Sequence, residues 1–167
     1  MSSYIVDFLS ILWRKAVLRD KLKLSSLKQH IGFNSIIRCE QYAQVQLGKV
    51  YAREHLYISA VERGTIRIGS DVHFNRNCSI VCRDSISVGD GCIFGPNVYI
   101  YDHDHRFDQF GVSKSEYTHA PVDIGKNCWI GANAVILKGT SIGENCVIGA
   151  GVVLGGGDAT RRFYRQS

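Results

Sequence analysis

The sequence lacks an apolar run long enough to cross a membrane. The apolar N-terminal stretch, residues 4–13, is interrupted by Asp7 and Ser10, and it is shorter than the roughly 20 residues that a spanning helix needs. No basic segment precedes this stretch and no clear small-residue cleavage site follows it, so a secretory signal peptide is not expected. These absences predict a cytoplasmic protein.

The sequence also lacks a continuous basic surface. Its formal net charge is +5, but the excess is confined to the two ends of the chain. Residues 1–30 have six Lys or Arg against two Asp, and the last ten residues have three Arg against one Asp. The middle of the chain is close to neutral, which argues against a nucleic-acid-binding surface along it. An anionic ligand or a membrane surface near either end is compatible with this distribution.

What the sequence does contain is a repeat of six residues. Ten apolar residues are each followed, three positions later, by a turn position, and Arg83 is the only poor fit for a tight turn. The apolar positions are Ile68, Phe74, Ile80, Val88, Phe94, Ile124, Ile130, Ile136, Ile142 and Ile148. The turn positions are Asp71, Asn77, Arg83, Gly91, Asn97, Asn127, Asn133, Gly139, Asn145 and Gly151. Because neither helices nor plain strands have this period, it predicts an all-β solenoid of short strands, a β-helix.

Each repeat assigns a role to its positions. The first residue points inward, the residue three positions later occupies a corner that needs positive φ, and the next one points inward and must be small. Three such strands make a triangular coil of about eighteen residues. Four cysteines occupy the small inward position, and no Cys-x-x-Cys motif occurs. We therefore interpret the thiols as core residues of a protein in a reducing compartment, rather than as disulfides or metal ligands. The six are Cys39, Cys78, Cys82, Cys92, Cys128 and Cys146.

The chain divides into three predicted parts. Residues 1–30 form a helical segment, residues 31–154 the β-helix with irregular first coils, and residues 155–167 an atypical, flexible basic tail. Two roles are open for the amphipathic helix. It packs on the end of the solenoid or on a neighbouring subunit, or it binds peripherally to an anionic membrane. Its apolar residues at helical spacing are Ile5, Phe8, Leu9, Leu12, Trp13 and Ala16.

One segment, residues 101–122, interrupts the repeat and is rich in His, Asp, Tyr, Ser and Lys. A polar excursion from a rigid solenoid is where chemistry is expected. The excursion contains three histidines, His103, His105 and His119. Together with His73 of the preceding coil they form a candidate cluster. Such a loop supplies a general base, binds a metal, or is merely solvated, and its interruption of a strict repeat favours a functional role.

The sequence resembles the hexapeptide-repeat acyltransferases, which fold as left-handed β-helices. Within them it is similar to the maltose, galactoside and capsular-polysaccharide O-acetyltransferases. The resemblance covers about residues 60–154, and the stretches that carry it are residues 88–98, the histidine loop, residues 121–132 and residues 142–151. It implies a homotrimer with active sites between subunits, acetyl-CoA as the acyl donor, no required metal, and a saccharide or sugar-nucleotide acceptor in polysaccharide biosynthesis.

The resemblance also implies roles for individual residues. The catalytic histidine, eight residues after Asn97, is His105, and His103 is the second candidate. Asn75 and Glu116 fall at acceptor-binding positions. The residues implied to contact the cofactor are Trp129, Gly131, Ala132, Gly149 and Ala150.

Acyl transfer from a thioester to a hydroxyl needs a base and no protein nucleophile. A neutral imidazole suits this role because it exchanges protons near neutral pH. A backbone N–H can stabilise the tetrahedral oxyanion. A neighbouring carboxylate or carbonyl should fix the histidine tautomer, and the carboxylates in range are Asp102, Asp104 and Glu116.

The last residues depart from the family pattern, because a glycine triplet replaces its usual proline-bearing turn. Two interpretations follow. Arg161 and Arg162, with Arg165, substitute for the lost phosphate contacts of the cofactor, or the tail is flexible and contributes nothing.

Other functions fit parts of the sequence. An amine acceptor, as on an amino sugar, or serine as an O-acetyl acceptor keeps the same chemistry. A zinc enzyme related to the γ-carbonic anhydrases would need three imidazoles, and the ligand spacing of that family is not seen here. A catalytically weak trimeric scaffold is the non-enzyme alternative.

Overall fold

Alternating apolar and polar residues make each short segment a strand with one buried side. In the segment Thr65–Ile68, Ile66 and Ile68 are buried and Arg67 between them is exposed, because successive side chains on a strand face opposite ways. The computed structural model describes residues 3–32 and 34–158. These residues form helix α1 (Ser3–Leu18), a single 3-10 turn (Arg19–Lys21) and a series of short strands.

The strands follow one another along the chain with only a few residues between them. In chain order they are β1 (Leu22–Leu24), β2 (His30–Ile31), β3 (Ile36–Cys39), β4 (Gln44–Leu47), β5 (Val50–Ala52), β6 (Tyr57–Ala60), β7 (Thr65–Ile68), β8 (Val72–Phe74), β9 (Ser79–Cys82), β10 (Ser85–Val88), β11 (Ile93–Phe94), β12 (Tyr99–Tyr101), β13 (His103–Asp108), β14 (Gly111–His119), β15 (Val122–Ile124), β16 (Trp129–Ile130), β17 (Val135–Ile136), β18 (Thr140–Ile142), β19 (Val147–Ile148), β20 (Val153–Leu154) and β21 (Gly157–Asp158).

All strands except the pair β13–β14 belong to three parallel sheets, which we call faces A, B and C. Face A has the order β1-β4-β7-β10-β15-β18-β21, face B has β2-β5-β8-β11-β16-β19, and face C has β3-β6-β9-β12-β17-β20. The chain visits the faces in the order A, B, C and then starts the next coil. This arrangement confirms the predicted left-handed β-helix of hexapeptide repeats.

Apart from the coil that contains the hairpin, the coils shorten along the chain. Leu22 pairs with Val45, twenty-three positions later, and Ile66 pairs with Ile86, twenty positions later. Only in the C-terminal part does a coil reach eighteen residues, as when Asp123 pairs with Ser141. The prediction of irregular first coils is therefore confirmed.

Left-handed corner residues separate the strands. Nine of the ten predicted turn positions have φ between +54° and +73°, where Asn and Gly meet the least steric penalty. The exception is Arg83, whose corner is built differently, as described below. The first coils also turn at left-handed corners, at Asn34 and at three residues of other types, Gln41, His55 and Glu62. The six-residue rule could not identify the last three because it relied mainly on Asn and Gly.

The cysteines fill the core, as predicted. Five of them are buried, Cys146 is half-buried, and all six are free thiols. Burial raises the pKa of the Cys78 thiol to about 11, so it stays neutral among apolar neighbours.

Helix α1 covers the open N-terminal edge of the solenoid. Ile11 is fully buried, and the Arg14 guanidinium donates a hydrogen bond to the Ser35 carbonyl (2.7 Å). The Lys15 ammonium donates to the carbonyls of Arg19 and Leu22 at 2.8 and 2.6 Å. An open sheet edge needs such a cover. In the described part of the chain, no helix combines the length and the apolar character that a bilayer crossing requires.

Candidate active site

The excursion from the solenoid is an antiparallel β-hairpin. Strands β13 and β14 pair from His103 opposite His119 to Asp108 opposite Gly111, with an irregularity between His105 and Phe107. The hairpin leaves the solenoid after β12 on face C and returns to β15 on face A. It therefore projects from the corner between faces C and A.

His105 lies on the hairpin with its ring held by a backbone carbonyl. Its Nδ1 is 2.9 Å from the carbonyl oxygen of Ser113, an acceptor only, so Nδ1 carries the proton and donates it. The Tyr117 ring lies 4.5 Å from the imidazole, centroid to centroid. Because the side chain is exposed, the remaining lone pair on Nε2 is open to a substrate. A neutral imidazole held in this way can accept a proton at Nε2.

His103, the second candidate, is held by a carboxylate. Its Nδ1 lies 2.9 Å from Oδ1 of Asp102, and only 14% of its side chain is exposed. The rings of Tyr101 and Tyr117 lie edge-on to it. His103 is thus packed at the base of the hairpin, whereas His105 is open to solvent.

Asp102 is the fully buried carboxylate on which the hairpin rests. It accepts hydrogen bonds from the backbone N–H groups of Arg83 (2.9 Å) and Asp84 (2.7 Å). Burial raises the pKa of the Asp102 carboxyl, but hydrogen bonds from His103 and from the two N–H groups outweigh burial and lower it. Asp102 is therefore ionised at neutral pH. These bonds take the place of the left-handed corner that the repeat predicted at Arg83.

The other candidate carboxylates have partners of their own. Asp104 pairs with Lys138 at 3.0 Å, and Glu116 pairs with Arg106 at 3.5 Å. In the described part of the chain, the ring of His105 is oriented by the Ser113 carbonyl rather than by a carboxylate. The sequence did not point to Ser113 or Tyr117. Any residue type can supply a main-chain carbonyl, so the identity of Ser113 gives no indication that it binds His105.

Five of the predicted acceptor and cofactor residues lie in a column at the corner between faces B and C. The N–H of Asn75 donates to the Phe94 carbonyl at 3.0 Å, and the N–H of Gly131 donates to the Ile148 carbonyl at 2.8 Å. A Cβ on Gly131 would lie 2.6 Å from the backbone nitrogen of Ala150, so only glycine allows the coils to approach this closely. The column consists of Asn75, Gly95, Gly131 with Ala132, and Gly149 with Ala150.

Face B carries an outward ladder of rings beside this column. Tyr51 stacks between His30 and His73, with centroid distances of 5.2 and 4.5 Å. Further along the same ladder, Trp129 is exposed. A cavity of about 240 Å³ lies against the rings and is lined by His30, Tyr51, Ala52, Arg53, His73, Phe74, Asn75, Ile93 and Phe94.

The predicted cluster of four histidines is not formed. His73 lies on face B, 3.3 Å from Asp71, and not beside the hairpin. His119 pairs across the hairpin with His103, and its Nδ1 lies 3.3 Å from Asp84. Within residues 3–32 and 34–158, no group of three or more His, Cys, Asp or Glu is arranged to hold a metal ion.

A single protomer does not bring the base and the column together. Trp129 lies on face B, and Asn75 directly follows a strand of the same face. His105 lies on the hairpin, at the corner between faces C and A. Among the described residues, the contacts of His105 are with Ser113 and Tyr117. Arg161 and Arg162 lie outside the described residues.

Comparison with known proteins identifies the repeat. Residues 65–102 and 121–155 match the model of the hexapeptide repeat of succinyl-transferase, and the gap between them contains the hairpin. Nodulation protein L of Rhizobium leguminosarum bv. viciae is 44% identical over 76 residues, which are 46% of this chain and 40% of that protein. The chain thus spans less than half the length of curated relatives that it matches.

Two solved structures share the fold. A hexapeptide-repeat acetyltransferase from Vibrio cholerae O1 biovar eltor, complexed with acetyl-CoA, superposes with a TM-score of 0.55 at 24% identity, covering 92% of this chain and 74% of that one. A maltose O-acetyltransferase from Clostridium difficile 630 superposes with a TM-score of 0.50 at 28% identity, covering 84% and 63% of the two chains.

Proposed function

We propose that the protein, whose solenoid matches the hexapeptide repeat of succinyl-transferase over residues 65–102 and 121–155, transfers an acetyl group from acetyl-CoA to a saccharide hydroxyl. The observation that carries the proposal is the contact between Nδ1 of His105 and the Ser113 carbonyl, from which the tautomer follows. Its Nδ1 proton is committed to the Ser113 carbonyl at 2.9 Å, which leaves Nε2 as an exposed proton acceptor. The O-acetyl product and the sugar acceptor are supported by the maltose O-acetyltransferase, whose sequence is 28% identical over most of this chain.

The reaction needs one base and one direct attack. Nε2 of His105 removes the proton of the acceptor hydroxyl while the oxygen attacks the thioester carbonyl. The tetrahedral intermediate collapses by breaking the carbon–sulfur bond. The imidazolium returns the proton to the departing thiolate, so the products are the acetyl ester, free coenzyme A and a regenerated base.

The column at the corner between faces B and C is the proposed donor-binding groove. Gly131 and Gly149 have no side chains to obstruct an extended chain, and Ala132 and Ala150 add only methyl groups. The exposed ring of Trp129 flanks them on face B. These features suit the flexible pantetheine arm of acetyl-CoA, which needs a narrow groove with an apolar wall.

We place each active site between neighbouring subunits of a homotrimer. The support is that His105 lies at the corner between faces C and A, whereas the column with Asn75 lies at the corner between faces B and C, next to Trp129 on face B. The hairpin also exposes apolar side chains near its tip, Phe107, Phe110 and Val112, with 89% of Phe110 exposed. Contact with a second copy would cover them. Glu116, on the same hairpin, is the proposed second acceptor contact.

Subunit mixing tests this arrangement. The His105→Ala and Asn75→Ala homotrimers should each be inactive. Co-refolding equal amounts of the two variants should restore about a quarter of wild-type activity, because about one site in four then combines an intact His105 from one subunit with an intact Asn75 from its neighbour. Activity is measured as coenzyme A release with a thiol reagent, across sugars, amino sugars and serine. A mixture that stays inactive contradicts the shared site. An absence of turnover with every sugar, alongside turnover of an amine, contradicts the O-acetyl assignment.

A further inference from the structure

Helix α1 presents an apolar stripe to solvent on the side opposite the solenoid. Leu9, Trp13 and Val17 follow one another at intervals of four residues, and they are 55%, 68% and 58% exposed. Side chains at this spacing lie on one face of a helix. Ile11, by contrast, is fully buried against the first coil. The helix therefore uses one face for folding and leaves a second apolar face that no other described residue covers.

This outer face is held rigidly in place. Arg14 and Lys15 hydrogen-bond to carbonyls of residues outside the helix, Ser35 and Leu22, at 2.7 and 2.6 Å. These two cations are consequently engaged in fixing the helix on the solenoid and are not displayed beside the stripe. The stripe is a fixed surface feature of the fold at the N-terminal end of the solenoid.

Further exposed cations follow the stripe along the chain. From residue 9 to residue 30 the chain has six Lys or Arg and one Asp. Of these, Arg19, Lys23 and Lys28 are exposed, next to the C-terminal end of the helix and along the first coil. A second copy of this chain docking face to face would bring like charges together. An anionic partner gains from the same charges.

We propose that α1 rests in the plane of an anionic membrane surface. The side chains of Leu9, Trp13 and Val17 enter the boundary between headgroups and acyl chains, and Arg19, Lys23 and Lys28 contact the phosphates. An exposed apolar helix face with cations at its border is the usual composition of such interfacial helices. Tryptophan is the side chain most suited to this boundary, because its ring is amphipathic. The helix lies on the membrane and does not cross it.

Tryptophan fluorescence of the full-length protein tests the proposal. The chain has two tryptophans, so Trp129→Phe leaves Trp13 as the reporter. Vesicles of phosphatidylglycerol and phosphatidylcholine in equal parts should shift the Trp13 emission to shorter wavelength, whereas pure phosphatidylcholine vesicles should shift it far less. Raising the salt concentration should reverse the shift. No shift with the anionic vesicles would overturn the proposal.

Vesicle co-sedimentation tests the named residues. Leu9, Trp13 and Val17 are replaced together by Ser, and in a second variant Arg19, Lys23 and Lys28 are replaced by Glu. Each variant should lose about tenfold or more of its affinity for the anionic vesicles. Leu27→Ser, which removes an exposed leucine outside the helix, is the matched control and should bind normally.

Two further outcomes would overturn the proposal. Unchanged vesicle binding by the triple-serine variant, with its melting temperature intact, would show that the stripe is not the contact. Lipid-independent self-association that this variant abolishes, measured by sedimentation velocity, would assign the stripe to a second copy of the chain.

Discussion

The carboxylate of Asp102 accepts the backbone N–H of Arg83 at 2.9 Å, at the one predicted turn position that is not left-handed. The two facts have one cause. This corner has two residues more than the six-residue repeat requires. The N–H groups of Arg83 and Asp84 donate to the Asp102 carboxylate of the next coil. Asp102 immediately precedes the hairpin, so the same contact fixes the direction in which His103 and His105 leave the solenoid. The failure of the repeat at Arg83 and the excursion at residue 102 are therefore linked.

Replacing Asp102 with Asn should destabilise the fold. The amide keeps one acceptor, but its NH₂ group faces a donor, and a buried donor without an acceptor costs about 1–3 kcal/mol. We expect the free energy of unfolding, measured in urea at neutral pH, to fall by about that amount. Asp104→Asn is the control, because Asp104 is an exposed partner of Lys138 and surface pairs contribute at most about 1 kcal/mol.

The same substitution should remove part of the acid sensitivity of the protein. The pKa of the Asp102 carboxyl is lowered in the folded state from its ordinary 3.8. Its contribution to stability is therefore fully present above that value and is lost as the pH falls through the lower, folded pKa. Urea unfolding at a series of acidic pH values should show a shallower decline for Asp102→Asn than for wild type. Parallel curves would exclude Asp102 as the ionised anchor.

Replacing His105 with Ala should abolish most activity without affecting the fold. If Nε2 is the base, kcat should fall about 10²- to 10⁴-fold, while the melting temperature stays constant because the side chain is exposed. His119→Ala is the matched control, an exposed imidazole on the opposite strand of the same hairpin, and should retain activity. Near-normal kcat in His105→Ala would reject the assignment.

His103→Ala distinguishes the two candidate bases. The imidazole of His103 is mostly buried against Asp102 and two tyrosine rings, so its loss should lower the melting temperature. A loss of kcat at unchanged melting temperature would instead identify His103 as the base.

How much the sequence predicts depends on where the repeat is strict. From Ile124 onward the corners are Asn or Gly at regular spacing, so burial and turns follow from residue type. The first coils turn at Gln41, His55 and Glu62, which have no preference strong enough to mark a corner. The histidine loop was predicted, but its pairing as a hairpin was not, because its strands are polar on both sides. His73 is in the coil before the hairpin but lies on face B, because membership of neighbouring coils does not place two residues on the same face.

The glycines at the corner between faces A and B offer a matched test of the stacking. A Cβ on Gly125 would lie 2.6 Å from the backbone nitrogen of Glu144, whereas on Gly143 its nearest neighbour among the described residues would be the Cys146 sulfur at 3.8 Å. Both occupy the same corner in successive coils. Gly125→Ala should therefore lower the free energy of unfolding by about 1–3 kcal/mol through overpacking. Gly143→Ala should be neutral within about 0.5 kcal/mol.

Equal urea midpoints for the two glycine variants would show that the coils can separate to admit a methyl group. Close packing of the coils would then not be the reason for glycine at position 125.

The C-terminal arginines, which lie outside the described residues, are proposed to bind the phosphates of acetyl-CoA. Each guanidinium presents a planar fork of donors that matches a phosphate. Replacing Arg161, Arg162 and Arg165 together by Ala should raise the KM for acetyl-CoA by about tenfold or more. The KM for the acceptor and the kcat at saturating donor should stay unchanged. Arg63→Ala, an exposed arginine in the second coil, should leave every constant at its wild-type value. A donor KM equal to that of wild type in the triple variant would remove the arginines from the cofactor site, and the column with Trp129 would have to hold the donor without them.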